Sequence, residues 1–249
     1  MISCQSLRKA YPKQLIGPLD LSFPDGQLTA IIGPNGAGKS TFLMMLGGLL
    51  QPDEGEVFLE AKPLSGLKRT ERAKKLAILH QESHINSRLT VRQLVCFGRY
   101  PLCHGRLSQK DCHQVDCYLE QLDLTPLADQ YLDECSGGQK QRAFIAMILA
   151  QETPYVLLDE PLNNLDIASQ ATILRHLKAS CQALNRTIIM VVHDLNVASR
   201  YADYLCALKD GQVFAAGTPH ELINCPTMSK LYDTDITVHK TPEGLLTAY

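Results

Sequence analysis

Residues 33–41 read Gly-Pro-Asn-Gly-Ala-Gly-Lys-Ser-Thr, which is a complete G-x-x-x-x-G-K-[ST] sequence. Glycines let successive backbone N–H groups turn toward one point, where they can donate to phosphate oxygens. The Lys39 ammonium can reach a β- or γ-phosphate, and the Ser40 hydroxyl can bind Mg²⁺. This segment therefore predicts a binding loop for a nucleoside triphosphate, formed by Gly33, Pro34, Asn35, Gly36, Ala37, Gly38, Lys39, Ser40 and Thr41.

The residues on either side of this loop have the pattern that such a loop requires. The apolar run 28–32 before it predicts a strand, and the apolar run 42–46 after it predicts a helix. In phosphate-binding loops of this kind, the helix that follows directs its N-terminus at the phosphates. The alternative is a glycine-rich turn that contains a lysine by chance. The strand and the helix together favour the phosphate-binding interpretation.

Two carboxylates follow a second apolar run. Residues 155–158 are Tyr-Val-Leu-Leu, and Asp159 and Glu160 come directly after them. Ligands of open α/β sheets bind at the carboxyl ends of the strands, so both acids are expected beside the loop. Asp159 suits Mg²⁺, because this hard cation prefers carboxylate and water oxygens, and Glu160 can orient or deprotonate an attacking water. The alternative is that both acids simply lie at a solvated strand end. The presence of the phosphate loop in the same chain favours the functional interpretation over this alternative.

A second anion-binding helix start is predicted further along the chain. Residues 136–139 are Ser-Gly-Gly-Gln, ahead of a helical pattern that extends to Ala150. Ser136 can cap this helix with Gln139 three residues later, as in a capping box. The two glycines leave their N–H groups accessible to an anion. The segment therefore predicts a second place where a phosphate meets a helix N-terminus.

These motifs, in this order, resemble those of the ABC-type ATPases, and the resemblance covers essentially all 249 residues. Tyr11 matches the aromatic residue that stacks on adenine, and His193 matches the switch histidine that contacts the γ-phosphate. Gln81 matches the glutamine at the start of the helical subdomain, which the resemblance implies is catalytic and a ligand of Mg²⁺. Residues 163–166, Asn-Asn-Leu-Asp, match the aspartate loop of the family, and Asp166 is its last residue. This loop follows the predicted strand that leads to Asp159. The plainer alternatives are that Tyr11 packs within a strand, that Gln81 is a polar residue at a strand end, and that Asp166 and Asp194 cap helices.

The resemblance also implies how the chain works. Two copies form a head-to-tail homodimer, and each ATP with its Mg²⁺ lies between the phosphate loop of one chain and residues 136–139 of the other. Hydrolysis adds charge repulsion and releases the two chains. The residues implied to contact the nucleotide across the dimer are Ser136, Gly137, Gly138, Gln139 and Asp166.

The elements that must position these residues predict one α/β domain over 1–249, a P-loop NTPase core with a mixed sheet. Runs 2–11 and 19–23 predict an N-terminal antiparallel β part, with Pro12 and Gly17-Pro18 in turns. The apolar runs 155–158 and 187–192 predict parallel strands buried on both faces. From about 85 to 150 the pattern becomes helical and predicts an inserted helical subdomain, with helices over 91–98, 109–122 and 136–150, before a crossover helix over 168–184.

The composition excludes several classes of protein. The net charge of −2 gives no electrostatic reason for nucleic acid binding. The longest apolar runs are far shorter than the roughly 20 residues of a membrane-spanning helix, and the N-terminal residues lack a secretory pattern. Nine scattered cysteines favour free thiols, and the spacing of Cys103, Cys112 and Cys117 fits no common zinc pattern. We expect a cytoplasmic chain that uses the membrane pathway of separate subunits.

Two stretches narrow the resemblance to one branch. Residues 90–101, Thr-Val-Arg-Gln-Leu-Val-Cys-Phe-Gly-Arg-Tyr-Pro, and 193–196, His-Asp-Leu-Asn, resemble ATPases of ferric-siderophore, haem and cobalamin importers. This implies two integral membrane permease subunits, an indirect role for a substrate-binding protein, and a peripheral location on the cytoplasmic face of the membrane. Ferric-siderophore import is the leading interpretation; haem or cobalamin import, or a soluble non-transport ABC ATPase, are the alternatives. A permease helix is expected to dock near 81–89.

Two further features carry hypotheses. Cys135 stands where the family usually has leucine, and a thiol beside a helix N-terminus can be unusually reactive. The alternative is a tolerated substitution without a role. The last residues, from about Leu222, carry little motif content and are expected to form a small docking tail.

Overall fold

The computed structural model describes residues 1–80, 88–103, 105–241 and 244–248. The first part of the chain alternates strands with short helices. Its elements are β1 (Ile2–Tyr11), β2 (Gln14–Phe23), β3 (Leu28–Ile32), α1 (Lys39–Leu46), β4 (Glu54–Leu59), β5 (Lys62–Pro63), α2 (Arg69–Ala73) and β6 (Leu76–Leu79).

The second part begins with helices and then returns to the sheet. Its elements are α3 (Val91–Gly98), α4 (Tyr100–Cys103), α5 (Gln109–Gln121), α6 (Gly137–Ala150), β7 (Tyr155–Asp159), α7 (Ile167–Leu184), β8 (Thr187–Val191), α8 (Leu195–Tyr201), β9 (Tyr204–Lys209), β10 (Gln212–Gly217), α9 (Pro219–Leu222), α10 (Cys225–Tyr232), β11 (Thr237–Thr241) and β12 (Gly244–Ala248).

The main sheet has the strand order β10-β9-β3-β8-β7-β6. Strands β6, β7, β8, β3 and β9 pair in parallel, and β10 joins the edge antiparallel to β9. Every residue of β3, β7 and β8 is buried, and for β7 and β8 the continuous apolar runs predicted this burial. Because these three strands are parallel and adjacent, the segments that follow Ile32, Asp159 and Val191 leave the same edge of the sheet. The predicted mixed core sheet is confirmed.

The predicted N-terminal antiparallel sheet is also confirmed, with the order β2-β1-β4-β5. The prediction of a turn at Gly17-Pro18 was wrong, because both residues lie inside β2. Gly17 has φ +96°, and a Cβ on it would lie 2.1 Å from the Leu7 carbonyl oxygen. The pairing register shifts here, between Leu7 and Lys9. A glycine bulge and a position at the sheet edge let the strand continue past a proline.

The core forms on both faces of the main sheet because side chains alternate along each strand. Leu28, Ala30 and Ile32 of β3 point into one cluster, and Ile31 points into the other. The second cluster is closed by α1 and the antiparallel sheet, while helices α3 and α5 to α8 contribute to the first. The phosphate loop therefore extends from a strand that is fixed on both faces.

Helices α3 to α6 lie between β6 and β7 along the chain, and their buried side chains share one cluster with the main sheet. The predicted subdomain over 85–150 stays a prediction, since its first residues lie outside the described ranges. Within those ranges, none of the helices is both long enough and apolar enough to span a bilayer.

Candidate nucleotide site

The loop after β3 encloses the Lys39 side chain. Its ammonium donates to the carbonyls of Gly33 and Pro34, both at 2.9 Å. Burial lowers the pKa of Lys39, while the nearby carboxylates of Glu160 and Asp159 act in the opposite direction. Gly33 has φ +144°, and a Cβ there would lie 2.0 Å from the Leu208 carbonyl oxygen, so this position requires glycine. The lysine therefore lies at the centre of the loop and close to two acids.

Two of the three residues predicted to bind Mg²⁺, Ser40 and Asp159, are in contact with each other. The Ser40 hydroxyl donates to Asp159 Oδ1 at 2.9 Å. Asp159 is only 2% exposed, and its Oδ2 is buried without a hydrogen-bond partner among the described residues. Burial raises the pKa of Asp159, and the Ser40 bond opposes this shift. A buried carboxylate oxygen without a donor is costly, and a hard cation would satisfy it, so this pair fits Mg²⁺.

Glu160 contacts two other side chains at once. Its Oε1 lies 2.5 Å from His193 Nε2, and its Oε2 accepts from the Asn163 amide at 2.5 Å. The side chain is 11% exposed, and its backbone has φ +49°. Together with Val197, these residues line a small cavity of about 110 Å³. Two groups that are 33 residues apart in sequence thus meet where β7 and β8 end.

Ser136 caps α6, as predicted. The Gln139 N–H donates to Ser136 Oγ at 3.3 Å, and the Ser136 N–H donates to Gln139 Oε1 at 2.8 Å. The capping box does not use the N–H groups of Gly137 and Gly138. This helix start rests on the loop after β7, since a Cβ on Gly138 would lie 3.2 Å from the Asn164 carbonyl oxygen. The contacts across a dimer stay a prediction.

The remaining predicted residues have different outcomes. The carboxylate of Asp166 accepts from the Ser169 N–H at 2.7 Å and caps α7, so the capping interpretation is confirmed. Asp194 likewise caps α8. Tyr11 is 42% exposed at the end of β1, as stacking on a base requires. Gln81 lies outside the described residues, as does most of the segment predicted to dock a permease helix.

The ABC transporter family model matches residues 16–163 of the sequence. The chain belongs to the ABC transporter family. This membership agrees with the fold and with the phosphate loop, and it confirms the predicted resemblance. The protein is an ABC-type ATPase that binds ATP.

Relatives in this family match along most or all of the chain. The petrobactin import ATP-binding protein FatE of Bacillus anthracis is 48% identical, with 100% of both chains covered. The ferric enterobactin transport ATP-binding protein FepC of Escherichia coli K12 is 40% identical over 92% of this chain and 85% of the relative. A dimeric ATP-binding cassette, MJ0796, solved in a post-hydrolysis state with ADP and Pi, aligns with a TM-score of 0.78 at 30% identity, covering 88% of this chain and 99% of that chain.

The structure of this ABC ATPase favours the tolerated-substitution alternative for Cys135 over a reactive thiol. The thiol is buried and donates to the Tyr131 carbonyl. Burial raises the pKa of the Cys135 thiol, although Lys140 acts in the opposite direction. A higher pKa lowers the thiolate fraction, and the thiolate is the reactive form. Its burial is that of a small apolar side chain in the place of the family's leucine.

Sequence reasoning missed two side chains that shape the site. The Gln14 amide donates to the Gly36 carbonyl and ties β2 to the phosphate loop. Asn163 holds the second oxygen of Glu160. The position of Asn163, three residues after Glu160, is a local signal that could have indicated the contact. The contact between Gln14 and Gly36 joins two separate elements, so no local pattern in the sequence indicates it.

Proposed function

We propose that this chain is the ATP-hydrolysing subunit of a ferric-siderophore importer. The observation that carries the proposal is the 48% identity, along the whole chain, to an ATP-binding protein of petrobactin import. The similarity to a ferric enterobactin transport ATP-binding protein supports the same class of cargo. Cargo specificity is not read by residues of the nucleotide site, so the proposal depends on this similarity.

In the proposed reaction, the triphosphate lies in the loop 33–41, with Lys39 on the β- and γ-phosphates. Ser40 and Asp159 would hold Mg²⁺, together with Gln81, and a bound ion would neutralise charge at the phosphates. Glu160 accepts a proton from the attacking water or orients it. The contact at 2.5 Å between Glu160 and His193 supports a joint role of these two residues at the γ-phosphate.

The complete site is proposed to need a second copy of the chain. In a head-to-tail homodimer, the N–H groups of Gly137 and Gly138 of one copy donate to the γ-phosphate held by the other. The capping box supports this role, because it orders the helix start without using these two donors. Ser136, Gln139 and Asp166 then line the same seam.

The importer is proposed to contain two permease subunits, with this chain bound at the cytoplasmic face of the membrane and a substrate-binding protein acting from the other side. An apolar groove of about 360 Å³ supports the permease contact. Leu89, Phe97, Tyr100 and Leu107 line the groove, and the Phe97 and Tyr100 rings are exposed. Leu89, which lines the groove, is also the last residue of the segment 81–89 that was predicted to dock a permease helix.

Uptake by a deletion strain tests the cargo. Cells that lack this chain are complemented with the wild type or with Glu160→Gln and are given radioactive iron as a ferric siderophore. We expect uptake with the wild type alone, and membrane pulldown of the wild type should recover permease subunits. Restored uptake of haem or cobalamin, without ferric siderophore uptake, would reassign the cargo. Recovery of ribosomes or soluble complexes without permeases would favour a non-transport role.

A further inference from the structure

The end of the chain forms a hairpin that lies on helix α8. Strands β11 and β12 pair antiparallel, outside the main sheet, and we call them the C-terminal hairpin. Strand β12 packs along α8. Val238 and Leu245 of the hairpin pack on the core beneath it. The two strands of the predicted docking tail therefore pack on their own chain, and docking on a partner stays a prediction.

One side-chain amide joins the hairpin to α8. Asn196 Oδ1 accepts from the Thr247 N–H at 2.7 Å and from the Thr247 hydroxyl at 3.0 Å. Asn196 Nδ2 donates to the Thr247 carbonyl at 3.4 Å. Thr247 is 5% exposed and Asn196 is half-buried, so these bonds are partly shielded from water. One turn further along α8, the Ser199 hydroxyl donates to the Leu245 carbonyl at 2.8 Å.

Helix α8 begins two residues after His193, and Asp194 caps it through the N–H groups of Asn196 and Val197. Leu195 and Ala198 bury the helix in the core. Apolar burial is not directional, so it allows small shifts along the helix axis. Hydrogen bonds are directional and fix the register of the first turn. A shift of this turn would move His193 relative to Glu160, which lies only 2.5 Å away.

We propose that Asn196 is a positioning residue for ATP hydrolysis. By bonding to Thr247 of the C-terminal hairpin, it fixes the first turn of α8 and holds the His193 ring against Glu160. The inference rests on the proposed roles of Glu160 and His193 in the reaction. The C-terminal hairpin thereby acts on the nucleotide site indirectly, through α8, and not through a contact with the nucleotide.

The test measures ATPase kinetics of the full chain. For Asn196→Ala we expect kcat to fall roughly three- to tenfold, the loss that a few partly shielded hydrogen bonds can cause. The KM and the Kd for ATP should stay within about twofold, since the phosphate loop is untouched. Asn196→Asp keeps the acceptor for both Thr247 donors and should recover most of the activity. If Asn196→Ala does not fold, Thr247→Val, which keeps the backbone donor, serves for the same measurements.

Ser199→Ala is the matched control, because it removes a bond between the same helix and the same strand farther from His193. It should leave kcat within about twofold. In NMR spectra, the ring signals of His193, assigned by their loss in His193→Ala, should move in Asn196→Ala and stay in place in Ser199→Ala. Equal losses of kcat in the two variants, with unmoved His193 signals, would show that the hairpin only adds stability and would overturn the proposal.

A double-mutant cycle separates this proposal from the proposed function. If Asn196 acts through His193, Asn196→Ala should cost little more once His193→Ala is present. If Asn196→Ala lowers kcat by the same factor in the His193→Ala background as in the wild type, the positioning role of Asn196 is overturned, while the role of His193 is not. If His193→Ala itself leaves kcat unchanged, the proposed role of His193 and the positioning role of Asn196 are both wrong.

Discussion

At the residue scale, the contacts of Glu160 support its proposed action on the attacking water. Its two oxygens contact different side chains, His193 and Asn163, so the carboxylate plane is fixed from both sides. Asp159, its neighbour, points into the buried interior toward Ser40. Adjacent acids thus receive different environments, which suits one to a metal ion and the other to a proton.

Replacing the proposed base should separate binding from turnover. For Glu160→Gln we expect kcat for ATP hydrolysis to fall by about 10²- to 10⁴-fold, because a positioned base is lost. The Kd for ATP should change little, since Glu160 acts on water. Phosphate release and nucleotide titration provide the two measurements. Glu120→Gln, which alters an exposed acid of α5, is the control. Near-normal hydrolysis by Glu160→Gln would move the base role to another residue.

Replacing the loop lysine should affect binding itself. For Lys39→Ala we expect the Kd for ATP to rise about 10- to 100-fold, because a charge-assisted phosphate contact is removed. Isothermal titration with a slowly hydrolysed ATP analogue measures it. Lys110→Ala removes the same charge from an exposed position of α5 and should bind as the wild type does. A Lys39→Ala titration that matches the wild type would contradict the assignment.

At the scale of elements, a buried ion pair joins the helices that follow β6. Arg99, at the end of α3, is 4% exposed. It donates to Asp111 at the start of α5, to Glu152 after α6, and to the Ala150 carbonyl. Asp111 also closes the capping box of α5 with Ser108. A single guanidinium thus fixes the relative positions of three helices, among them the one that begins with residues 137–139.

Breaking this pair should destabilise the fold. For Asp111→Ala we expect the free energy of unfolding to fall by roughly 3 kcal/mol, since a buried charge loses one partner. Urea denaturation measures the change. Asp116→Ala, which breaks the exposed pair with Arg92, is the control and should cost at most about 1 kcal/mol. Similar losses in the two variants would show that burial of Arg99 adds nothing.

The same pair predicts a pH dependence. The Ser108 bonds and the Arg99 guanidinium lower the pKa of Asp111 from 3.8 to about 2. The resulting stabilisation is complete above the unfolded value and is lost as the pH falls through the folded one. The unfolding free energy of the wild type should therefore decrease more steeply between about pH 4 and pH 2 than that of Asp111→Ala. Parallel curves would contradict this linkage.

At the scale of the whole molecule, the proposed homodimer depends on the start of α6. For Ser136→Asp in a Glu160→Gln background, we expect the ATP-dependent dimer to weaken at least about tenfold, because a negative charge then faces the γ-phosphate. Aspartate is itself a good helix cap, so α6 should remain intact. Light scattering with ATP and Mg²⁺ measures the dimer.

Thr90→Asp is the matched control for this experiment. Thr90 caps α3 in the same capping-box geometry, with Gln93 as its partner. Thr90→Asp should leave the ATP-dependent dimer intact, because the new negative charge lies at a helix cap that is not expected to face the nucleotide. A dimer that survives Ser136→Asp would place the segment 136–139 outside the seam between the copies.

The sequence by itself determined the features that depend on neighbours along the chain. The phosphate loop is one continuous segment, and the caps at Ser136 and Asp166 each need only a residue three positions later. The fully buried strands β7 and β8 follow from apolar runs, and α3 has the predicted bounds. In each case, a short-range steric or hydrogen-bonding rule is sufficient.

Only the tertiary structure decided which distant groups meet. The contact of Glu160 with His193 depends on two parallel strands ending side by side, and that of Asn196 with Thr247 depends on a hairpin returning to α8. The continuous strand through Gly17-Pro18 required a partner strand and a bulge. Such contacts join residues far apart in sequence, so their formation depends on the packing of the whole chain and leaves no periodic signal in it.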